Sequence, residues 1–249
     1  MIRGLYTAAT GMIHQRNKLD SIANNLANTN TRGYKKDDIV SRSFNDELLL
    51  RISKNQSPRA LGPINHGVYA ERVTTFFQDG PLQQTGLTTD LALQGEGFFT
   101  IIRDGQELYT RDGTFKVNDE GILVTMEGHV VAGENGPIQV GQEDFEIDIH
   151  GYIWQGYNLV DRLQLVNFED NNALEKVGDN LFANNNPGEN PAIVFDGQVF
   201  QGYAELSNVE LVDEISDMIT VARTYEANMR ILQMMDNVLS KTVNEVGTV

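Results

Sequence analysis

The sequence predicts an α+β protein. Terminal N- and C-helices are expected to pair as an α-helical coiled-coil domain, with a central all-β domain, meander- or barrel-like, between them. Three observations carry that expectation: a heptad stripe near the end of the chain, a second near its beginning, and a middle of short β-rich runs punctuated by turns.

At the beginning, Leu5, Met12, Leu19 and Leu26 recur every seven residues. Ala8 and Ile22 fill intermediate slots and Gln15 interrupts the stripe. The helix is expected to stop within Ala27-Asn28-Thr29-Asn30-Thr31-Arg32-Gly33, because Asn and Thr compete for backbone hydrogen bonds and Gly33 tolerates a left-handed conformation. This helix is assigned to residues 1–34, followed by an extended linker over 35–65 whose stretch Ser53-Lys54-Asn55-Gln56-Ser57-Pro58-Arg59 is polar.

The middle, 66–205, changes character. Asp79-Gly80-Pro81, Asp104-Gly105, Asp112-Gly113, Asn118-Asp119-Glu120-Gly121, Glu127-Gly128 and Asp196-Gly197 are turn signals. Between them lie runs such as Phe98-Phe99-Thr100-Ile101-Ile102, Ile122-Leu123-Val124-Thr125 and Ile193-Val194-Phe195, and Phe145-Glu146-Ile147-Asp148-Ile149 alternates apolar with acidic.

The last segment, 206–249, carries the longest signal. Leu211, Ile215, Met218, Ala222, Tyr225, Met229, Leu232, Leu239, Val243 and Val246 follow steps of four and three, and Asp236 takes the one polar slot. Ser207 and Glu210 have the spacing of a capping box, and Leu206 and Leu211 that of a hydrophobic staple, so the helix is expected over about 207–245. Each large apolar side chain gains roughly 1.5–3 kcal/mol only when buried, and a lone helix is marginal in water. The two terminal stripes are therefore the expected partners of each other, within or between subunits. A basic neighbour such as Arg3 or Arg16 is the expected partner of Asp236, which would set the register.

Charge and composition exclude several classes of function. There are 19 Lys+Arg against 35 Asp+Glu, for a net charge of −16, which leaves no basic footprint for nucleic acid or an anionic membrane. The asymmetry is internal. Residues 1–54 hold nine basic and five acidic groups (net +4), and the remainder ten basic and thirty acidic (net −20). With no cysteine, disulfides and thiolate chemistry are absent. The opening residues show no apolar signal-peptide region, and no run is long enough for a membrane span.

Catalytic constellations are sought and not found. Gly95-Glu96-Gly97 leads into a strand, where no helix N-terminus could meet a phosphate. His14, His66, His129 and His150 are scattered, and turn chemistry accounts for Asp112, Asp119 and Glu120 without a calcium ion or a glycosidase pair. No catalytic residue, cofactor or metal site is expected.

Three ordered blocks resemble the axial proteins of the bacterial flagellum, specifically the basal-body rod and hook family. The first is Ala23-Asn24-Asn25-Leu26-Ala27-Asn28 followed by Thr31-Arg32-Gly33-Tyr34-Lys35. The second runs through Thr85-Gly86, Asp90-Leu91-Ala92-Leu93, Gly95, Gly97-Phe98-Phe99, Tyr109-Thr110-Arg111-Asp112-Gly113 and Gly121. The third is Gly202, Glu205, Ser207-Asn208-Val209, Met218-Ile219 and Arg223-Thr224-Tyr225-Glu226-Ala227-Asn228. The resemblance implies a structural subunit of the rod, of proximal or distal type, self-assembling with its own kind and with other rod and hook proteins into a torque-transmitting helical drive shaft. It implies helices in the inner shell of a tube, a location in the basal body across the periplasm, and delivery by the flagellar type III export gate without a cleaved signal. Phe44, followed four residues later by Leu48, has the spacing of the family's export motif. Hook or hook–filament junction identity is the alternative within the family, and a secreted binding module with a coiled-coil stalk the one outside it.

Overall fold

The computed structural model describes residues 2–246 apart from 45–46, 54–55, 65–66 and 142. Two helices bracket the strands: α1 (Ile2–Ala27) and α2 (Leu211–Val246). The strands between them are β1 (Asp37–Ser43), β2 (Glu47–Ser53), β3 (Gln56–Ile64), β4 (Val68–Thr75), β5 (Leu82–Gln84), β6 (Leu91–Gln94), β7 (Phe98–Arg103), β8 (Gln106–Thr110), β9 (Phe115–Val117), β10 (Leu123–Thr125) and β11 (Val130–Gly133). They continue as β12 (Gly136–Pro137), β13 (Glu146–Ile147), β14 (Tyr152–Gln155), β15 (Asn158–Arg162), β16 (Leu165–Phe168), β17 (Leu174–Gly178), β18 (Leu181–Asn184), β19 (Ala192–Val194), β20 (Gln198–Gln201) and β21 (Tyr203–Glu205). This is an α+β chain with antiparallel pairing at every named register.

The chain forms two compact units. One gathers Met1–Leu26, Asp37–Thr74 and Glu210–Val249, and the other Ala27–Lys36 and Thr75–Val209. In the first unit β1 pairs with β4, and β2 with β3 as a hairpin. Asp37–Ser43, Glu47–Ser53 and Gln56–Ile64 are thus strands within the stretch where polar composition suggested an extended linker. The α2 helix starts at Leu211, four residues later than Ser207, because the Ser207 hydroxyl accepts from the Val209 N–H (3.3 Å) and closes a local turn ahead of the helix.

In the second unit the main sheet runs β17-β18-β8-β7-β11-β10-β9, with β16 also on β7 and β19 on β16. All four residues of Phe98-Phe99-Thr100-Ile101 in β7 are buried, since both faces of the strand are covered. Phe99 and Ile101 face one core with Leu91, Leu93, Leu123, Val131 and Ile153. Phe98 faces the other, with Tyr109, Phe168, Leu174 and Phe182. The β7–β8 turn is Asp104-Gly105, both at positive φ (53° and 79°), the two-residue geometry that matches strand twist.

Candidate functional site

Three distant stretches of the second unit converge on one buried ion cluster. Gly33 turns the chain at φ 65°, and its missing Cβ admits the backbone of Arg111 and Asp112. Two residues later, Lys35 Nζ donates to Glu205 Oε1 and to the Gln78 carbonyl, both at 2.6 Å. Glu205 Oε1 also accepts from the Gly80 N–H (2.8 Å), and its Oε2 from Arg111 Nε (2.7 Å). Arg111 then reaches Asp79 Oδ1 (2.6 Å) and the Gly97 carbonyl (2.5 Å). The side chains of Lys35, Glu205 and Arg111 are 1%, 1% and 2% exposed.

Such a group of charges is costly to bury and more costly to break, because removing one partner strands the others in a low dielectric. Burial pushes the Lys35 ammonium below the ordinary lysine range, the Glu205 carboxylate opposes that shift and the Arg111 guanidinium adds to it. Both Glu205 oxygens are engaged by donors, two on Oε1 and one on Oε2, so the cluster has the chemistry of a structural anchor.

The neighbouring residues tie the same place together. Asn208 Oδ1 accepts from the Lys36 N–H (2.8 Å), and its Nδ2 donates to the carbonyls of Phe76 (2.8 Å) and Gln78 (3.2 Å). The Phe76 N–H in turn reaches the Lys36 carbonyl (2.8 Å). Arg32 pairs with the buried Asp90 (3.0 Å), and the Lys176 ammonium stands 4.4 Å from the Tyr34 ring centroid.

In the first unit, α1 and α2 run antiparallel with a heptad match. A Cβ on Gly4 would collide with the Met235 thioether, and one on Gly11 would stand 3.2 Å from Asn228 Nδ2. Asn25 Nδ2 donates to Glu214 Oε2 (3.4 Å). Each advance of seven or fourteen along α1 is thus met by an equal retreat along α2. The inward face of α2 is Glu214, Met218, Val221, Tyr225, Asn228, Leu232, Met235 and Leu239, all buried or half-buried. On α1, Ala8, Ile22 and Asn25 are buried, while Leu5, Met12, Leu19 and Leu26 are half-buried.

The expected stripe of α2 is therefore split. Met218, Tyr225, Leu232 and Leu239 point inward, whereas Leu211, Ile215 and Met229 are 49%, 41% and 39% exposed. The helix is apolar on two sides, and small or hydrogen-bonding residues on α1 decide which side it takes. Asp236 is exposed, so the polar slot chosen for register is not in this seam; the buried polar pair is Asn25 with Glu214. Asn24, Arg223 and Glu226 are exposed. Asn28 accepts from the Thr31 hydroxyl at the helix stop (3.1 Å). The Phe44 ring lies between Tyr6 and Tyr69, at 6.4 and 5.1 Å between centroids, while the Leu48 side chain lies outside the described residues. Asp112 accepts from the Thr114 N–H (2.9 Å) in a turn, and among the described residues no group of His, Asp and Glu could hold a metal.

Sequence reasoning missed Asp79 and Glu214 as site residues, and reached Lys35, Arg111 and Glu205 only as motif members without a role. No local spacing links positions so far apart, and the one shared signal of Lys35, Arg111 and Glu205 was that each belongs to a resemblance block.

Comparison with known proteins follows the same three blocks. Residues 5–35 match the family described as "Flagella basal body rod protein", 92–154 "Flagellar hook protein FlgE/F/G D1 domain", and 201–245 "Flagellar basal body rod FlgEFG protein C-terminal". The chain is 36% identical to the flagellar basal-body rod protein FlgF of Caulobacter vibrioides, over 95% of this chain and 94% of that one. It is 33% identical to FlgG of Borreliella burgdorferi (96% and 97% covered) and 32% identical to FlgG of Bacillus subtilis (98% and 99%).

Proposed function

The chain belongs to the flagellar basal-body rod protein family and is a structural subunit of that rod, and from this premise we propose how it builds one. The observation that carries the proposal is the two-sided α2. One face closes on α1 within the chain, and the other leaves Leu211, Val212, Ile215 and Ile219 in solvent. In the rod that second face packs against helices of neighbouring subunits as a coiled-coil wall, so many weak contacts together supply the stiffness that torque transmission needs. The central strands form the outer domain, and residues 1–34 and 206–249 the axial one.

The subunit reaches its place across the periplasm through the flagellar type III export gate, with Phe44 and Leu48 as the export motif, and works without catalysis, cofactor or metal. Its partners are its own copies and the other rod and hook proteins. Deleting the gene and imaging basal bodies tests the assignment. A rod truncated before the outer rings is the expected result, and an intact rod lacking only the hook would move the chain to the hook.

A further inference from the structure

The seam between α1 and α2 is indifferent to sliding over most of its length. Gly4 and Gly11 accept whatever side chain lies opposite, and Met218, Val221, Leu232 and Met235 are apolar neighbours of much the same size. A slide of one heptad moves one helix about 10.5 Å along the other and exchanges one apolar layer for the next. Tyr225 and Asn228 on the same face are only half-buried, and one layer is different in kind. Asn25 and Glu214 are each 1% exposed and meet at 3.4 Å.

Asn25 also cannot follow a slide. Its Oδ1 accepts from the Asp37 N–H (3.0 Å) and its Nδ2 donates to the Asp37 carbonyl (2.8 Å). Ser21 Oγ donates to the same carbonyl (3.0 Å). The amide is therefore clamped at two points to the first residue of β1, and this fixes both its orientation and the direction of its hydrogen towards α2. A slide that brought Asn25 opposite Val221 would leave the amide facing a methyl group and strip Glu214 of a buried donor, the kind of penalty that a single polar layer uses to select one register.

We infer that the Asn25–Glu214 layer, locked by Asp37, is the positioning element that sets the register of the helix pair, and with it which stretch of α2 lies beside α1. The inference concerns one chain and does not depend on the chain being a rod subunit.

Cysteine cross-linking of the purified full-length chain tests it, because the native sequence has no cysteine to interfere. Gly4→Cys with Met235→Cys reports the native register, and Gly11→Cys with Met235→Cys the slid one, since a disulfide cannot span the extra heptad. In the otherwise native chain the first pair is expected to give about tenfold more cross-linked product or better. Asn25→Leu combined with Glu214→Leu keeps a buried apolar layer, and there the slid pair is expected to rise to a comparable yield while helicity by circular dichroism is retained. Val221→Ala loosens the same seam without touching the polar layer and is expected to leave the preference unchanged. An unchanged preference in the Leu–Leu chain, or an equal loss of preference in Val221→Ala, would overturn the inference.

Discussion

Lys35 and Glu205 lie 170 positions apart in the chain and meet at 2.6 Å with 1% of either side chain exposed. Glu205 is the shared acceptor of the cluster, because it also takes Arg111 Nε. Removing its charge strands Lys35 and leaves Arg111 only the half-exposed Asp79, whereas removing Lys35 leaves Glu205 still paired with Arg111. Lys35→Met is therefore expected to cost about 3 kcal/mol and Glu205→Gln about 5 kcal/mol. Urea unfolding of the two variants checks the order. Equal losses would mean that the three charges do not act as one unit.

Burial raises the Asp112 carboxyl above its ordinary 3.8, and its bond from Thr114 opposes the shift. A raised folded-state value means that the folded chain binds more protons than the unfolded one from 3.8 upward, so this group withdraws stability as pH climbs out of that range. Asp112→Asn keeps the acceptor for Thr114 and removes the titration. The melting temperature of the native chain is expected to fall relative to that of Asp112→Asn between pH 3.8 and neutrality. Parallel profiles would contradict this.

Gly33 and Gly105 both have positive φ, at 65° and 79°, but only Gly33 is closely surrounded. Gly105→Ala meets open space and is expected to cost about 1–2 kcal/mol for the left-handed backbone alone. Gly33→Ala adds a collision with the Arg111–Asp112 backbone and is expected to cost at least twice as much. Thermal denaturation of the pair separates conformation from collision.

An aspartate at Ile215 or Ile219 adds charge where α2 is 41% and 48% exposed. Stability of the isolated chain is expected to move by no more than about 0.5 kcal/mol, while swimming in soft agar is lost because subunits no longer join. Val221→Asp, on the buried face, is expected to destabilise the chain itself. Normal motility with Ile215→Asp would remove the second face from the assembly.

If Phe44 and Leu48 form the export motif, changing both to Ala stops secretion of the full-length chain. Phe44 also stacks against Tyr6 and Tyr69, so Tyr69→Ala controls for loss of that packing. Immunoblotting of the culture medium from hook-deficient cells reads the result, and secretion of the Phe44→Ala, Leu48→Ala chain at native levels would discard the motif.

Legibility in the sequence followed the range of the interaction. Steps of four and three along α2 are local, so the helix and its Met218, Tyr225, Leu232 and Leu239 positions could be read directly. Which flank joins them was decided by Gly4, Gly11 and Asn25 at the other end of the chain, out of reach of any periodicity. The run Phe98-Phe99-Thr100-Ile101 was legible as a strand, whereas the burial of both its faces depends on strands distant in sequence. Residues 35–65 read as a linker because of the polar stretch 53–59, whereas the pairing of β1 with β4 and of β2 with β3 is a backbone property that side-chain composition does not report. Asp236 drew attention as the lone polar residue in an apolar series, yet the polar pair that is buried, Asn25 with Glu214, sits on a face the series did not select.

The antiparallel course of α1 and α2 has a practical consequence. Because Gly4 abuts Met235, the start of α1 and the last turns of α2 lie at the same end of the helix pair. A fluorescent protein or affinity label fused ahead of α1 or behind α2 therefore sits at one end of the helix pair, and moving it from front to back keeps it there. The Asp104-Gly105 hairpin tip, open to solvent and remote in sequence from both helices, is the place to insert a reporter.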